Sequence, residues 1–72
     1  MTPIQAANLL LKEAHDLDKF IHKAYFMDAQ DILNGDNHSE QFKITCIVWI
    51  ESTCKKTDPI EILLSGLRGC LK

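Results

Sequence analysis

The chain has 72 residues, a formal net charge of −2 and a pI near 5.8, with 46% apolar and 25% charged residues. That length allows one helical domain, 1–72, and excludes a multidomain enzyme. The composition excludes a disordered chain, and the absence of a basic excess argues against nucleic acid as the partner. No apolar run approaches the length of a membrane span, so no membrane association is expected.

At the amino end, Thr2-Pro3-Ile4-Gln5 places Thr at the N-cap, Pro at the first helical position and Gln at the third. The hydroxyl can accept from an orphan amide while the glutamine reaches back, and proline presets φ. Ala7, Leu10, Ala14, Leu17, Ile21 and Ala24 then recur at spacings of three and four, the pattern of a helical seam. No Gly or Pro interrupts before Gly35. The pattern predicts a first helix from Pro3 to about Leu33, about 45 Å long. Asp28 falls on the centre of the apolar face, so a break into two helices is expected near Met27 if there is one.

Asn34-Gly35-Asp36-Asn37-His38 is the clearest turn, because Asn-Gly suits left-handed backbone at a helix end. Ser39, or Asn37 with Glu40, can cap the next helix. The surrounding DILNGDNHSEQF fails as an EF-hand calcium loop. With Gly35 at loop position six, positions one, three and twelve are Gln30, Ile32 and Gln41, none of them a carboxylate.

Phe42 to Cys54, FKITCIVWIESTC, reads two ways. As a strand it alternates and is rich in β-branched residues, but nothing else in the chain could pair with it. As a helix it places Phe42, Cys46, Trp49, Ile50 and Thr53 on one stripe, with Ile44 and Val48 outside it. We read it as a helix apolar nearly all round, the pattern of a buried one. Asp58-Pro59-Ile60-Glu61 repeats the N-terminal capping plan and opens a short last helix with Ile60, Leu64, Leu67 and Leu71 in a stripe. The expected fold is all-α: a three-helix, possibly four-helix, bundle with a long first helix. Gly66 and Gly69 weaken the last helix unless their bare backbone admits a neighbour.

Chemistry-bearing residues are sparse. Cys46, Cys54 and Cys70 form no C-x-x-C pair, and Cys46 and Cys54 lie too far apart on one helix for a disulfide. An odd cysteine count and a start without a basic leader point to a reduced, cytoplasmic protein. His15 and His22 are seven residues apart. No catalytic, cofactor or metal motif is present, and a chain this small can scarcely build both a substrate pocket and a core; no enzyme is expected.

The candidate partner-binding residues are Phe26 and Trp49 as aromatic anchors, with Lys12, Lys19, His22 and Lys23 as a basic stripe that steers an acidic partner. Three short helices cannot bury this much apolar surface alone. A protein partner is therefore expected, in a homodimer or a hetero-complex. The function expected is that of a small adaptor, chaperone or regulator. The alternatives are a dimeric nucleic-acid-associated transcriptional regulator, and a redox or metal module built on the cysteines and histidines.

Overall fold

A computed structural model of the chain describes residues 1–16 and 20–71, and within them all side chains except those of residues 15, 16 and 20–22. Those residues form four helices and no strand: α1 Pro3–Asp16, α2 Phe20–Leu33, α3 Glu40–Thr53 and α4 Asp58–Gly69. The all-α expectation holds, in its four-helix form.

Local signals set most helix ends. Thr2 Oγ1 accepts from the Gln5 amide at 3.2 Å, and the Thr2 amide donates to Gln5 Oε1 at 2.9 Å. This is the reciprocal cap anticipated from Thr2-Pro3-Ile4-Gln5. α2 closes through Gly35 at φ +89°, with Gly35 N donating to Ile32 O and Asp36 N to Asp31 O, both at 3.1 Å. The paired bonds are a Schellman closure, which needs the left-handed conformation that glycine adopts without strain. Ser39 caps α3 by accepting from the Phe42 amide at 3.1 Å. At α4 the cap differs by one residue from expectation. Asp58 is the first helical residue, and the N-cap is Thr57, whose side chain makes no cap bond. Asp58 and Glu61 instead place negative charge in the first turn, where the helix dipole favours it.

The long first helix is not formed. An unbroken helix of about 45 Å exceeds the molecule's longest extent of 33 Å. α1 and α2 are separate helices that pack against each other as an antiparallel pair, with the Gln30 amide donating to Asn8 Oδ1. The break is not near Met27, which lies inside α2 and is exposed. Antiparallel packing lets the two halves of the seam bury each other, which one straight rod cannot do. It also resets the helical phase. α1 buries Ala6, Ala7, Leu10 and Ala14, whereas α2 buries Phe26, Ala29 and Ile32 and exposes Ala24. The inward face of α2 is thus displaced by one to two residues from the continued seam of Ala24, Asp28 and Asp31, roughly a third of a turn of helical rotation. The same displacement takes Asp28 off the centre of the core face.

The core is completed by Cys46, Ile47 and Ile50 of α3 and by Ile60, Leu63, Leu64 and Leu67 of α4. α4 crosses α1 closely at Gly66. A Cβ there would lie 2.4 Å from Pro3 Cβ and 2.6 Å from Pro3 Cγ. Gly69 meets nothing within 4 Å, so only one of the two glycines serves close approach. The accessible surface is 4649 Å², against about 4,500 Å² for a folded monomer of this mass. The total exposed area is thus ordinary for a chain of this mass. The amount of apolar surface does not by itself require a partner, and the case for one rests on where the remainder lies.

Candidate interaction surface

α3 carries that surface. Its inward side presents Cys46, Ile47 and Ile50. On the opposite side Ile44 is 40% exposed, Val48 54% and Trp49 44%. A helix with apolar side chains all round has no intrinsic inside, so its neighbours choose one. Ile44 and Val48 are one turn apart on the outward ridge, with Trp49 on its flank.

Two further features make this face more apolar and more rigid than its composition implies. Thr45 Oγ1 donates to the Gln41 carbonyl at 2.8 Å, and Thr53 Oγ1 to the Trp49 carbonyl at 2.6 Å. Hydroxyls returned to the helix backbone in this way no longer offer a free donor at the surface. Trp49 stacks on Tyr25 of α2, with ring centroids 5.3 Å apart and planes 15° from parallel. The indole is braced along one face while remaining nearly half exposed, so less rotamer freedom would be lost when something covers it.

The other sequence candidates separate. Phe26 is only 4% exposed and belongs to the core, so its placement as a surface anchor is corrected by the phase displacement in α2. Lys12 is exposed on α1, while Lys23 is half-buried on α2. The stripe expected on one helix is divided between two that pack side by side. Lys19 and the side chain of His22 lie outside the described residues. Of the two aromatic anchors, Trp49 alone stands on an open surface. Sequence reasoning missed Ile44 and Val48, although their exclusion from the helical stripe was the available signal.

At one end of α3, the turn after α2 gathers polar groups. Donor atoms of Asp31, Asp36 and His38 all lie within 4.8 Å of one another, because the Schellman closure folds Asp36 back onto the last turn of α2. The His38 ring stacks on Phe42 with centroids 4.3 Å apart, and its Nε2 is buried without a hydrogen-bond partner. Two carboxylates and an imidazole so spaced are the residues best placed, among those described, to hold a cation. Nearby, the Asp28 carboxyl is raised above its ordinary range, first by burial and then by Asp31, with His38 opposing. An open cleft of about 460 Å³ adjoins the turn, walled by Ile32, Asp36, His38, Lys43 and Cys70.

The cysteines are free. Cys46 is buried with its Sγ 3.4 Å from the Tyr25 carbonyl. Burial, reinforced by Asp28, pushes its thiol up to about 12, so it is a packed thiol and a poor nucleophile. In the cleft, Cys70 Sγ lies 4.0 Å from the Ile32 carbonyl, and the Cys70 carbonyl accepts from Lys43 Nζ at 3.2 Å.

At the other end of α3, Lys55 and Lys56 are exposed and make no ion pair among the described residues. Arg68 of α4 pairs with Glu51 on the side of α3 away from Trp49. Among the described residues no helix is long and apolar enough to cross a membrane. No protein family, curated protein or solved structure matches this chain.

Proposed function

We propose that this is a non-catalytic, cytoplasmic helical protein of the adaptor, chaperone or regulator kind, acting by protein–protein contact through the outer face of α3. The observation that carries this reading is the row Ile44, Val48 and Trp49, exposed on a helix whose other apolar residues are in the core or packed against it. Fully burying such side chains gains roughly 1.5–3 kcal/mol each. Covering three that are about half exposed is therefore worth about 3 kcal/mol before the costs of association. The braced indole lowers those costs. Lys12 is exposed on α1, which does not contact α3, so the steering role expected of it is not part of this face.

The test is an Ile44→Glu/Val48→Glu double variant in the cells that make the protein. Both positions are about half exposed, so each substitution should cost no more than about 1 kcal/mol and the fold should persist. Crosslinked protein complexes recovered with the parent should be absent from the variant. Recovery of the same complexes from both would overturn the reading.

A further inference from the structure

We propose that the occupant of the α3 face is a second copy of this chain, paired helix to helix in antiparallel fashion. In this pairing Lys55 and Lys56 of each copy clamp the Asp31–Asp36 turn of the other. The inference rests on the reading of α3 as a contact surface and names its partner.

The case is one of charge and register. α3 spans about 21 Å. Just beyond its N-terminal end lie Asp31 and Asp36, crowded within 4.8 Å together with His38 and without an ion pair among the described residues. Just beyond its C-terminal end lie Lys55 and Lys56, exposed and likewise without an ion pair among the described residues. The face between them carries Ile44, Val48 and Trp49 exposed, interleaved with the uncharged Gln41, Thr45 and Ser52. Such a surface complements itself in one orientation only. Parallel pairing would set carboxylates against carboxylates and ammonium groups against ammonium groups. Antiparallel pairing satisfies both ends at once and also opposes the two helix dipoles.

A two-fold axis crossing α3 between Thr45 and Val48 fixes the register. It sets Ile44 against the partner's Trp49 and Val48 against the partner's Thr45, whose hydroxyl is already bonded to the Gln41 carbonyl. The same axis brings the partner's Lys56 level with Asn37, one residue from Asp36. An isologous pair of this kind closes on itself and leaves no surface for further growth. A single helix pair is small beside the roughly 800 Å² per partner of a standard interface, so a dissociation constant on the order of 10 µM is expected.

Sedimentation velocity of the purified chain across a dilution series, with and without EDTA, tests the proposal. The parent should pass from monomer to dimer in the micromolar range in both buffers. Val48→Glu should weaken association by ~10-fold or more. Lys55→Glu/Lys56→Glu and Asp31→Lys/Asp36→Lys should each weaken it to a similar degree. Mixing those two charge-reversed proteins should restore a dimer close to parental affinity, because the mixed pair is complementary at both ends. Every substituted position is exposed, and melting of each variant verifies its fold. A mixture that stays monomeric would overturn the antiparallel clamp. A dimer abolished by EDTA would overturn it too, by showing that a divalent cation occupies the acidic turn. A parent chain monomeric at every concentration would overturn self-pairing while leaving contact with another protein intact. That broader reading fails separately, if the Ile44→Glu/Val48→Glu variant keeps its complexes in cells.

Discussion

Gly66→Ala sets two physical effects against each other, and the structure decides which wins. Alanine is favoured over glycine in a helix interior by roughly 0.5–1 kcal/mol, and residue 66 lies inside α4. Propensity alone therefore predicts stabilisation. The Cβ, however, would sit 2.4 Å from Pro3 Cβ and 2.6 Å from Pro3 Cγ, with Leu33 Cδ2 at 3.3 Å. Ordinary contact begins near 3.4 Å, so Pro3 must retreat by nearly 1 Å. A pyrrolidine ring has no rotamer with which to do so, and the residue is held in the first turn of α1 beside the Thr2–Gln5 cap. The start of α1 must move as a unit against α4. Overpacking of this kind costs about 1–3 kcal/mol. The net expectation is destabilisation by about 1–2 kcal/mol, or roughly 4–16 °C in a domain of this size. The assay is thermal and urea unfolding of parent, Gly66→Ala, Pro3→Gly and the double variant. Pro3→Gly removes the blocking ring and Cβ at its own cost, so the two substitutions should couple favourably in the cycle. Gly69→Ala, which meets nothing, serves as the propensity control and should not destabilise. An unchanged or raised midpoint for Gly66→Ala would refute the close approach of α4 to the start of α1.

Three further outcomes arise from the same packing. Phe26→Ala should cost about 3–5 kcal/mol, the range for emptying a buried aromatic site, read by urea unfolding; a loss under about 1 kcal/mol would return Phe26 to the surface. In the native state a thiol reagent in mildly alkaline buffer should modify Cys54 and Cys70 well before Cys46, whose thiol titrates at about 12; equal rates by mass spectrometry would contradict its burial. Asp28→Asn should raise stability at neutral pH and lose that advantage below pH 3.8. The folded-state carboxyl is raised above its ordinary value of 3.8, so folding takes up protons in that window and stability falls as pH rises through it. A variant less stable than the parent at neutral pH would reverse that sign.

The parts of the fold that were legible in the sequence are those decided within a few residues. Thr2 with Gln5, Gly35 and Ser39 each act on backbone groups one to four positions away, and each is visible in the sequence alone. The α4 stripe was legible because Ile60, Leu64 and Leu67 stand on one face of a helix with a clear polar side. The division into α1 and α2 was not legible. No Gly or Pro marks it, and the seam of threes and fours runs through it unbroken. Antiparallel pairing is chosen by the burial it allows, which is a tertiary gain. Phe26 was misplaced for the same reason, since its inward position depends on a phase fixed only by that pairing. Within α3 the helix was legible but its orientation was not, because apolar side chains all round leave the inward face to be selected by packing. The candidate surface was visible only through Trp49, and its extent emerges once Cys46, Ile47 and Ile50 have claimed the inner side. The Asp31–Asp36–His38 cluster escaped notice because the carboxylates are five residues apart and meet through the Schellman closure.

The single tryptophan, Trp49, lies on the face that a second chain would cover, and its solvent access reports that contact without any label. Acrylamide quenching of its emission, followed across a dilution series, should rise as the protein is diluted through the micromolar range. Val48→Glu should show the high, dilute-limit quenching at every concentration. Quenching in the parent that is independent of concentration and equal to that of the variant would contradict the claim that a second chain lies over α3.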